Sequence, residues 1–479
     1  MNALHRDLKK LTSMMETMEA ERIARDPWRM RFHLMPPVGW LNDPNGLCQF
    51  HGVYHVFFQY APFEVNGGVK FWGHYRSRDL VNWEYMGPAL YADQPFDCHG
   101  VYSGSALIEE DGMHLFYTGN VKHPGTFDFI NEGRSADTVY VFSKDGVHFE
   151  AKERLMTNSD YPRDCTCHVR DPKVWRDGDV YRMVQGARRK GGDGPDMGEI
   201  LLFTSGDKKH WSLKNRITTQ ERFGYMWECP DYFRLDGQQF LVCCPQGVEQ
   251  DNLERQNLYQ NGYFPVDGSL EGACSLGSFH TLDYGFDFYA PQTFEDEKGR
   301  RILIGWAGMP DVDYENPTTQ AGWQHCLTVP RVLTLRDGKL LQNPIPELQA
   351  LRGRQEDANL RGGYRKEGLI SYEAWMEWES PQQVQLSFRD QRGGKATLEY
   401  DSSSGIVTLH LEGELAAGRD RRRVRVGDLK NLRILADASI LELYFNDGEK
   451  VLTTRYYPKD GRTSLEAETS PGTIKLWKY

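Results

Sequence analysis

Residues 43–59 read DPNGLCQFHGVYHVFFQ, and this stretch decides the fold that we predict for the 479-residue chain. Two runs rich in β-branched and aromatic residues flank a short turn, which is the pattern of two antiparallel strands. Similar stretches begin at Ser103, Asp171, Cys229 and Ala290, at intervals of 58 to 68 residues. Each leaves enough chain for two more strands. We therefore predict an all-β fold in which one four-stranded unit occurs five times, a five-bladed β-propeller.

A second repeated pattern supports this interpretation. Ser-x-Asp, followed four residues later by an aromatic residue, begins at Ser77, Ser143 and Ser205. The alternative is a β-sandwich with coincidentally spaced hairpins, and five units at near-constant spacing argue against it.

The pattern changes from about residue 350, where short alternating runs are separated by Gly-Gly, Asp-Gly and Ser-Ser-Gly turns. Many short antiparallel strands of this kind predict a β-sandwich. The predicted strands cover residues 384–388, 396–400, 406–411, 423–426, 432–435, 441–445, 451–457 and 474–477. We expect three regions: an N-terminal helical extension over 1–30, a propeller catalytic domain over 31–345, and the sandwich over 350–479.

Composition and charge exclude several classes of protein. The net charge of -11 argues against nucleic acid as a partner. No apolar run reaches the roughly 18 residues of a membrane span, and residues 3–25 predict a charged amphipathic helix rather than a secretory signal. That helix is a candidate for packing against a domain or for forming a homodimer. The nine scattered cysteines suit a reduced cytoplasm. A metal is not expected, since Cys165-Thr166-Cys167-His168 lacks the second ligand pair of a zinc site.

Three acids occupy nearly equivalent places in the repeat. Asp43 and Asp171 each precede a proline, and Glu228 lies two residues before Pro230. If this position lies on the innermost strand, the three carboxylates meet at the central channel. Units two and five carry Ser103 and Ala290 there, so the fold does not require the acids. Like charges in one pocket are costly and typical of active sites, although a lone acid in a turn is more often merely solvated.

Two carboxylates on either side of a bond are what glycoside hydrolysis requires. Glu228 lies between Trp227 and Cys229, a less polar setting that suits a general acid. Asp43 lies near the amides of Asn42 and Asn45, which we expect to keep it ionised as a nucleophile. The aromatic and hydrogen-bonding residues expected around a sugar are Trp40, Gln59, Trp72, His74, Tyr102, Trp227 and Tyr232.

Four motifs resemble those of glycoside hydrolase family 32, the invertases and related β-fructosidases. They are Trp40-Leu41-Asn42-Asp43-Pro44-Asn45-Gly46, Tyr102-Ser103-Gly104-Ser105-Ala106, Arg170-Asp171-Pro172 and Trp227-Glu228-Cys229-Pro230. The resemblance covers nearly the whole chain, and the segments 286–292 and 305–308 are similar to the bacterial branch that hydrolyses sucrose 6-phosphate. It implies a five-bladed propeller followed by a β-sandwich, a retaining double displacement, and neither metal nor organic cofactor.

The resemblance also assigns roles to residues. Asp43 would be the nucleophile that forms a fructosyl-enzyme, Glu228 the acid/base, and Asp171 the residue that binds fructose hydroxyls and stabilises the transition state. The expected substrate-binding residues are Leu41, Asn42, Pro44, Gln59, Trp72, Tyr102, Ser103 and Arg170. One position departs from the family: a Trp usually stands eight residues after the equivalent of Gln59, and here that residue is Gly67. Trp72 is expected to supply the aromatic wall instead.

The choice between sucrose 6-phosphate and sucrose stays open in the sequence. A phosphate needs cationic or backbone donors, and Arg188-Arg189-Lys190 is the candidate cluster, although a solvated surface run is an equal alternative. Two other interpretations compete: an intracellular hydrolase of short fructo-oligosaccharides, and a non-catalytic carbohydrate-binding propeller. The second predicts loss of a catalytic acid, and all three acids are present.

Overall fold

The computed structural model describes residues 2–479. A single α-helix, α1 (Ala3–Ala24), begins the chain, and the Asn2 side chain caps it by accepting the N–H of His5. Five 3₁₀ helices cover Asn158–Asp160, Pro317–Ala321, Pro346–Leu351, Glu414–Ala416 and Lys459–Gly461. Everything else with regular structure is β. No helix among residues 2–479 has the length and apolar character that crossing a membrane requires.

Five antiparallel sheets follow one another along the chain. The first contains β1 (Gly39–Phe50), β2 (Val53–Ala61), β3 (Phe71–Ser77) and β4 (Trp83–Leu90). The second contains β5 (Val101–Glu109), β6 (Gly112–Lys122), β7 (Arg134–Ser143) and β8 (Glu153–Met156). The third contains β9 (Cys165–Asp177), β10 (Val180–Arg189), β11 (Met197–Ser205) and β12 (Ser212–Ile217). In each, neighbouring strands are consecutive in sequence, as tight-turn connections dictate.

The fourth and fifth sheets carry short additional strands. The fourth contains β13 (Met226–Leu235), β14 (Gln238–Gln246), β15 (Gly262–Gly268) and β16 (Cys274–Leu276), and β17 (His280–Thr281) pairs with β15. The fifth contains β18 (Tyr289–Glu295), β19 (Arg301–Trp306), β21 (Arg331–Arg336) and β22 (Lys339–Pro344). Between β19 and β21, the strand β20 (Trp323–Gln324) pairs in parallel with β1 and so joins the last sheet to the first.

The first strands of the five sheets, which we call the inner strands, form a closed ring. Contacts run from β1 to β5, β5 to β9, β9 to β13, β13 to β18, and from β18 back to β1. Residues at equal depth on these strands therefore face one another across the ring, although they are far apart in sequence.

The repeated Ser-x-Asp pattern forms the same turn in the first three sheets. Asp79 accepts backbone N–H groups from residues 81 and 82, Asp145 from 147 and 148, and Asp207 from 209 and 210. Each turn lies between the third and fourth strands of its sheet. These aspartates are local turn-formers, since an Asx side chain can replace a backbone acceptor.

The C-terminal region is a β-sandwich of two six-stranded sheets, as the sequence predicted. One sheet has the order β23 (Gln355–Asn359), β34 (Gly472–Lys478), β25 (Ser371–Trp378), β30 (Asn431–Asp437), β31 (Ile440–Phe445) and β32 (Lys450–Arg455). The other has the order β24 (Tyr364–Leu369), β33 (Thr463–Thr469), β26 (Gln383–Arg389), β27 (Lys395–Asp401), β28 (Ile406–Glu412) and β29 (Arg421–Arg425). One large apolar cluster fills the space between them. All eight predicted strands overlap observed ones.

Part of the apolar face of α1 packs against the sheets. Leu8 contacts a core cluster and Met15 is half-buried, whereas Leu4 and Leu11 are 49% exposed and Met18 is 71% exposed. The helix also turns Thr12 and Glu16 inward, and the Glu16 carboxylate accepts hydrogen bonds from the hydroxyls of Tyr60 and Tyr85. These hydroxyls need an acceptor, so a polar contact adds to the apolar one in setting the packing face.

Buried ion pairs join the sandwich to the rest of the chain. Arg331 on β21 contacts Glu442 on β31 at 2.6 Å and Asp283 at 3.1 Å. His33, near the start of the chain, contacts Asp437 at 2.9 Å and Glu442 at 3.0 Å. All five side chains are fully buried. Removing one partner of such a group leaves a buried charge uncompensated, so these contacts fix the two regions together.

Candidate active site

Every inner strand contains a β-bulge. The five bulges lie at the same depth in the ring to within one residue. The bulges lie after Leu41, Val101, Arg170, Glu228 and Tyr289. A bulge inserts an unpaired residue and redirects a side chain away from the regular alternation. Three of the redirected residues have positive φ angles, namely Asp171 (65°), Cys229 (47°) and Ala290 (46°), a conformation that costs free energy in a non-glycine residue.

The bulges give each unit a pair of adjacent residues at the ring. The pairs are Asn42 and Asp43, Tyr102 and Ser103, Arg170 and Asp171, Glu228 and Cys229, and Tyr289 and Ala290. Glu228 is therefore the equivalent of Arg170 and not of Asp171, and Cys229 is the residue that matches the two aspartates. This agrees with the predicted repeat, in which the fourth unit begins at Cys229 and Glu228 is only nearly equivalent to the aspartates.

Asp43 is held by a short chain of polar side chains. Ser103 Oγ donates to Asp43 Oδ2 over 2.5 Å, and Gln59 Nε2 donates to the same hydroxyl over 2.7 Å. Asn42 Nδ2 donates to Asp43 Oδ1 over 2.9 Å, and Trp40 Nε1 in turn donates to Asn42. These partners fix the orientation of a potential nucleophile.

Burial affects Asp43 more than its amide neighbours do. Desolvation raises the pKa of Asp43, the hydrogen bonds from Ser103 and Asn42 lower it, and the charge of Glu228 raises it further. The net direction is upward, contrary to the expectation that the amides would dominate. Desolvation likewise raises the pKa of Asp171 to about 7, against the lowering effect of Arg170.

Cys229 links the three acids. Its backbone N–H donates to Asp171 Oδ2 over 2.9 Å, and its Sγ lies 3.6 Å from Asp43 Oδ2. Glu228 is its neighbour in sequence. One residue thus contacts both aspartates and is bonded to the glutamate, so the three carboxylates predicted from the repeat belong to one cluster.

Glu228 accepts hydrogen bonds from three sides, so its setting is polar, contrary to the sequence prediction. Arg170 Nη2 donates to Oε1 over 2.7 Å. Gln246 Nε2 and the hydroxyl of Tyr289 each donate to Oε2 over 2.7 Å. The Arg170 and Glu228 side chains are 11% and 16% exposed, which leaves the pair open at the ring.

Three of the predicted substrate-binding residues lie behind the pocket wall. Leu41 and Trp72 are completely buried, and Pro44 is buried as well. The Trp72 indole packs beside Gly46 and donates to the backbone oxygen of Tyr102. Trp72 therefore supports the site from behind and cannot be the aromatic wall. His74 and Trp227 are also core residues.

Trp40 is the half-buried aromatic residue beside Asn42. It contacts the rings of Trp306 and His325, with centroids 5.8 and 4.4 Å away, and both of those side chains are buried. The ammonium of Lys70 lies over Trp40, 4.8 Å from the ring centroid, in the space beside Gly67. Lys70 was not singled out from the sequence, and Trp306 lies in the segment 305–308, to which no role at the site was assigned. Tyr232 lies instead among residues such as Gln49 and Trp175 at the opposite ends of the inner strands.

Tyr289 and Gln246 are the other residues at the carboxylates that sequence reasoning missed. Tyr289 occupies the fifth bulge, so the repeat register contained a signal for it. Gln246 ends β14, outside the ring of inner strands, and no motif marked it.

The predicted phosphate cluster is partly neutralised. Arg188 pairs with Asp196 at 2.7 Å, and Arg189 lies 3.8 Å from Glu199. Lys190 is exposed. Among residues 2–479, the side chains spaced closely enough to hold an ion are Glu109, Asp111 and His114, and Lys208 pairs with Glu109. His168 and Cys165 contact Arg170 and Glu199, respectively.

A glycosidase uses a pair of carboxyl groups on either side of the scissile bond. The ring of sheets has such a pair at its centre, with a third acid beside it. Two family models match the chain: the glycosyl hydrolases family 32 N-terminal domain over residues 33–344, and the family 32 C-terminal domain over 350–478. The chain belongs to glycoside hydrolase family 32, and it is a glycoside hydrolase.

Three similar proteins illustrate this membership. Sucrose-6-phosphate hydrolase of Bacillus subtilis is 39% identical, with 96% of each chain covered. The structure of sucrose-6-phosphate hydrolase from Lactobacillus gasseri has a TM-score of 0.88 at 27% identity, covering 97% of this chain and 96% of that one. A mutant β-fructofuranosidase of Bombyx mori in complex with sucrose has a TM-score of 0.85 at 29% identity, covering 98% of both chains.

Proposed function

We propose that the protein hydrolyses the terminal β-D-fructofuranoside bond of sucrose 6-phosphate and of sucrose, with retention of configuration. The observation that carries this proposal is the contact of Cys229 with both Asp43 and Asp171, which gathers three carboxylates around one point. The names of the similar proteins support the choice of sugar.

The first chemical step assigns different roles to Asp43 and Glu228. The Glu228 carboxyl, approached by Arg170, Gln246 and Tyr289, protonates the glycosidic oxygen as the glucosyl group departs. Asp43 attacks the anomeric carbon of the fructosyl group and forms a covalent ester. In the second step Glu228, now ionised, removes a proton from water, and that water releases fructose from Asp43.

Asp171 stabilises the positive charge that develops on the fructosyl ring between these steps. Its orientation is fixed by the N–H of Cys229 and by its own backbone, whose N–H donates to Thr118 Oγ1 over 3.0 Å. Asn42, Gln59, Tyr102, Ser103 and Arg170 complete the fructosyl subsite in this proposal. Ser103 and Gln59 act through Asp43, which they orient.

The proposal includes the domain organisation of the chain and its location in the cell. We propose that the five sheets are the blades of a five-bladed β-propeller over residues 31–345, because their inner strands contact one another in a closed ring. The helical extension covers 1–30 and the sandwich 350–479. We also propose a cytoplasmic enzyme, for which the nine unpaired cysteines are the support.

The test is the stereochemistry of transfer to methanol. With sucrose or sucrose 6-phosphate as donor, a double displacement gives methyl β-D-fructofuranoside, whereas a single displacement gives the α anomer. Asp43→Ala should reduce kcat by about 10⁴-fold or more, comparable with the loss of other catalytic nucleophiles. The α product, full activity in Asp43→Ala, or turnover of short fructo-oligosaccharides alone would each contradict the proposal. A crystal structure should place the carboxyl groups of Asp43 and Glu228 about 5–5.5 Å apart.

A further inference from the structure

A group of basic side chains lies beyond the carboxylates, towards the ends at which the inner strands begin. In the second sheet, Val101 on β5 pairs with Gly119 on β6, and Lys122 lies three residues beyond Gly119. At about 3.3 Å per residue, this places Lys122 roughly 10 Å above the depth of Tyr102. Arg134, the first residue of β7, stands directly opposite Lys122.

Lys122 and Arg134 form a like-charge pair across two strands. Such pairs are destabilising when no anion lies between or beside them. Their register requires both to project from the same face of the sheet. Lys122 is exposed, and its ammonium lies 5.5 Å from the ring centroid of Phe129, so solvent and this ring compensate its charge. The half-buried Arg134 is the member of the pair that calls for a compensating interaction.

Arg134 has no such interaction within the chain. It forms no salt bridge with any carboxylate among residues 2–479, and its buried Nε lacks a hydrogen-bond partner. Arg134 as a whole is half-buried. A buried, unsatisfied N–H on a charged group leaves its desolvation cost uncompensated. An arginine with free donors and no carboxylate is the usual ligand for a phosphate, which it binds through two parallel N–H bonds.

The third sheet adds a second arginine at the same level. Gly186 on β10 pairs with Arg170, and Arg188 lies two residues closer to the start of β9, beside His168. The His168 Nδ1 contacts Arg170 over 2.6 Å. Burial and the charges of Arg170, Arg134 and Arg188 together lower the pKa of His168 to about 2. The charges of three guanidinium groups therefore act on one neutral imidazole.

The opposite flank of the site is different in character. It contains Trp40, Trp306 and Tyr289, with the ammonium of Lys70 over the Trp40 ring. The ring thus carries three cationic side chains on the side of the second and third sheets, and aromatic residues with a single lysine on the side of the first and fifth. A ligand with an anionic group at one end would be oriented by this asymmetry.

We propose that Arg134, with Lys122 and Arg188, binds the phosphate group of a phosphorylated leaving sugar and makes sucrose 6-phosphate the preferred substrate. This inference rests on the proposed function, because it assumes that the fructosyl group occupies the carboxylates and that the leaving group extends towards the entrance. Arg134 is the principal ligand, since Arg188 is already paired with Asp196. The cluster predicted from the sequence therefore contributes one residue, Arg188, and a residue that no motif marked contributes the main contact.

The experiment compares kcat/KM for sucrose 6-phosphate and for sucrose in the wild type, Arg134→Gln and Arg134→Lys. Arg134→Gln should raise KM for the phosphorylated sugar by about 10- to 100-fold and change KM for sucrose by less than about twofold, as expected for one charged hydrogen-bonding group. Arg134→Lys keeps the charge and should retain part of the preference. Inorganic phosphate should inhibit sucrose hydrolysis competitively in the wild type and more weakly in Arg134→Gln.

Arg154→Gln is the matched control, because Arg154 lies on β8 of the same sheet, is 52% exposed and pairs with Asp137. It should leave both substrates unchanged. Thermal melting of each variant shows whether it is folded. Equal effects of Arg134→Gln on both sugars would overturn the inference, and so would loss of the preference in Lys70→Gln alone.

The wild type separates the two proposals. If it hydrolyses neither sugar, the proposed function fails. If it hydrolyses sucrose and shows no preference for the phosphate ester, the proposed function stands and the phosphate subsite is refuted.

Discussion

The hydroxyl of Tyr289 donates a hydrogen bond to Oε2 of Glu228 over 2.7 Å, while Arg170 donates to Oε1 of the same carboxyl group. The two oxygens of Glu228, the proposed acid/base, thus have different donors: Tyr289 bonds to Oε2 and Arg170 to Oε1. Tyr289→Phe should lower kcat by about 10- to 100-fold with little change in KM, because a hydrogen bond to a charged group is lost without loss of a sugar contact. Steady-state kinetics measure this split.

The control is Tyr259→Phe, whose ring lies beside Tyr289 and whose hydroxyl bonds to Asp311 and not to Glu228. A rise in KM with unchanged kcat in Tyr289→Phe would show that Tyr289 binds substrate rather than positioning Glu228.

Ser103 should set the acidic limit of activity. Burial raises the pKa of Asp43, and the Ser103 hydroxyl opposes that rise. A nucleophile must be ionised, so kcat/KM falls as pH drops through the pKa of Asp43. Ser103→Ala removes the opposing bond, and the acidic limb of the pH profile should move to higher pH. At neutral pH, kcat/KM should fall by about tenfold.

Ser105→Ala serves as a comparison. Ser105 Oγ donates to the backbone oxygen of Pro172 and has no contact with the acids. The acidic limb of the pH profile of Ser105→Ala should therefore stay at the same pH as in the wild type. A limb that moves to lower pH in Ser103→Ala would contradict the role given to the hydroxyl.

Asp171 should make folding stability depend on pH. Burial raises its pKa to about 7, above the ordinary value of 3.8. The protonated form therefore favours the folded state, and this contribution is complete below about pH 4 and is lost as pH rises through 7. Asp171→Asn removes this pH dependence. The free energy of unfolding of the variant, relative to that of the wild type, should therefore rise by up to about 1.4 kcal/mol per pH unit between pH 4 and 7.

Urea unfolding at several pH values measures this difference, and a pH-independent difference would refute it. The same substitution should lower kcat by about 10²- to 10³-fold, as the loss of a preorganised electrostatic contact does.

His33 should stabilise the folded chain most strongly at low pH. Burial lowers its pKa, but the hydrogen bonds to Asp437 and Glu442 outweigh burial and raise it above 6.5. Stability from the charged imidazole is thus complete below about pH 6.5 and is lost as pH rises through the higher folded-state pKa. His33→Ala should lower the free energy of unfolding by about 3–5 kcal/mol at pH 6, because the buried Asp437 loses its charged partner and the buried Glu442 loses one of its two.

His210→Ala is the matched control. His210 also pairs with an aspartate, Asp207, but its side chain is 91% exposed. A surface pair of this kind contributes at most about 1 kcal/mol. Equal losses in the two variants would contradict the account of His33.

The repeated hairpins made the fold predictable, because five units with the same turn chemistry allow few arrangements. Four sandwich strands escaped prediction: β23, β24, β25 and β33. Two of these, β23 (QEDAN) and β33 (TSLEAET), are rich in acidic residues and lack an apolar run. The two-residue strands β17 and β20 exist only through their partners, and no local pattern could indicate them. The packing face of α1 was predictable only in part: Leu8 packs against a core cluster, whereas Glu16 is selected by two tyrosine hydroxyls that are distant in sequence.

The three acids were predictable for the same reason as the fold, since the repeat places them at one depth. The one-residue offset of Glu228 could be read from the sequence as well, because the fourth repeat unit begins at Cys229. Trp72 was misplaced because its burial depends on Gly46, whose missing side chain leaves room for the indole. Gln246, Lys70 and Arg134 come from outer strands and loops, where the repeat carries no information about which side chains approach the centre.

The contact of His33 with Asp437 spans 404 residues of sequence. During synthesis at about 5–20 residues per second, the imidazole is made roughly 20–80 s before its partner leaves the ribosome. The five sheets can form in that interval, whereas the first segment of the chain stays without its charged partners until the last domain appears. The buried ion pairs between the two regions can therefore form only once residues 437 and 442 have been made, and a chain truncated before residue 437 lacks them even though it contains all three acids.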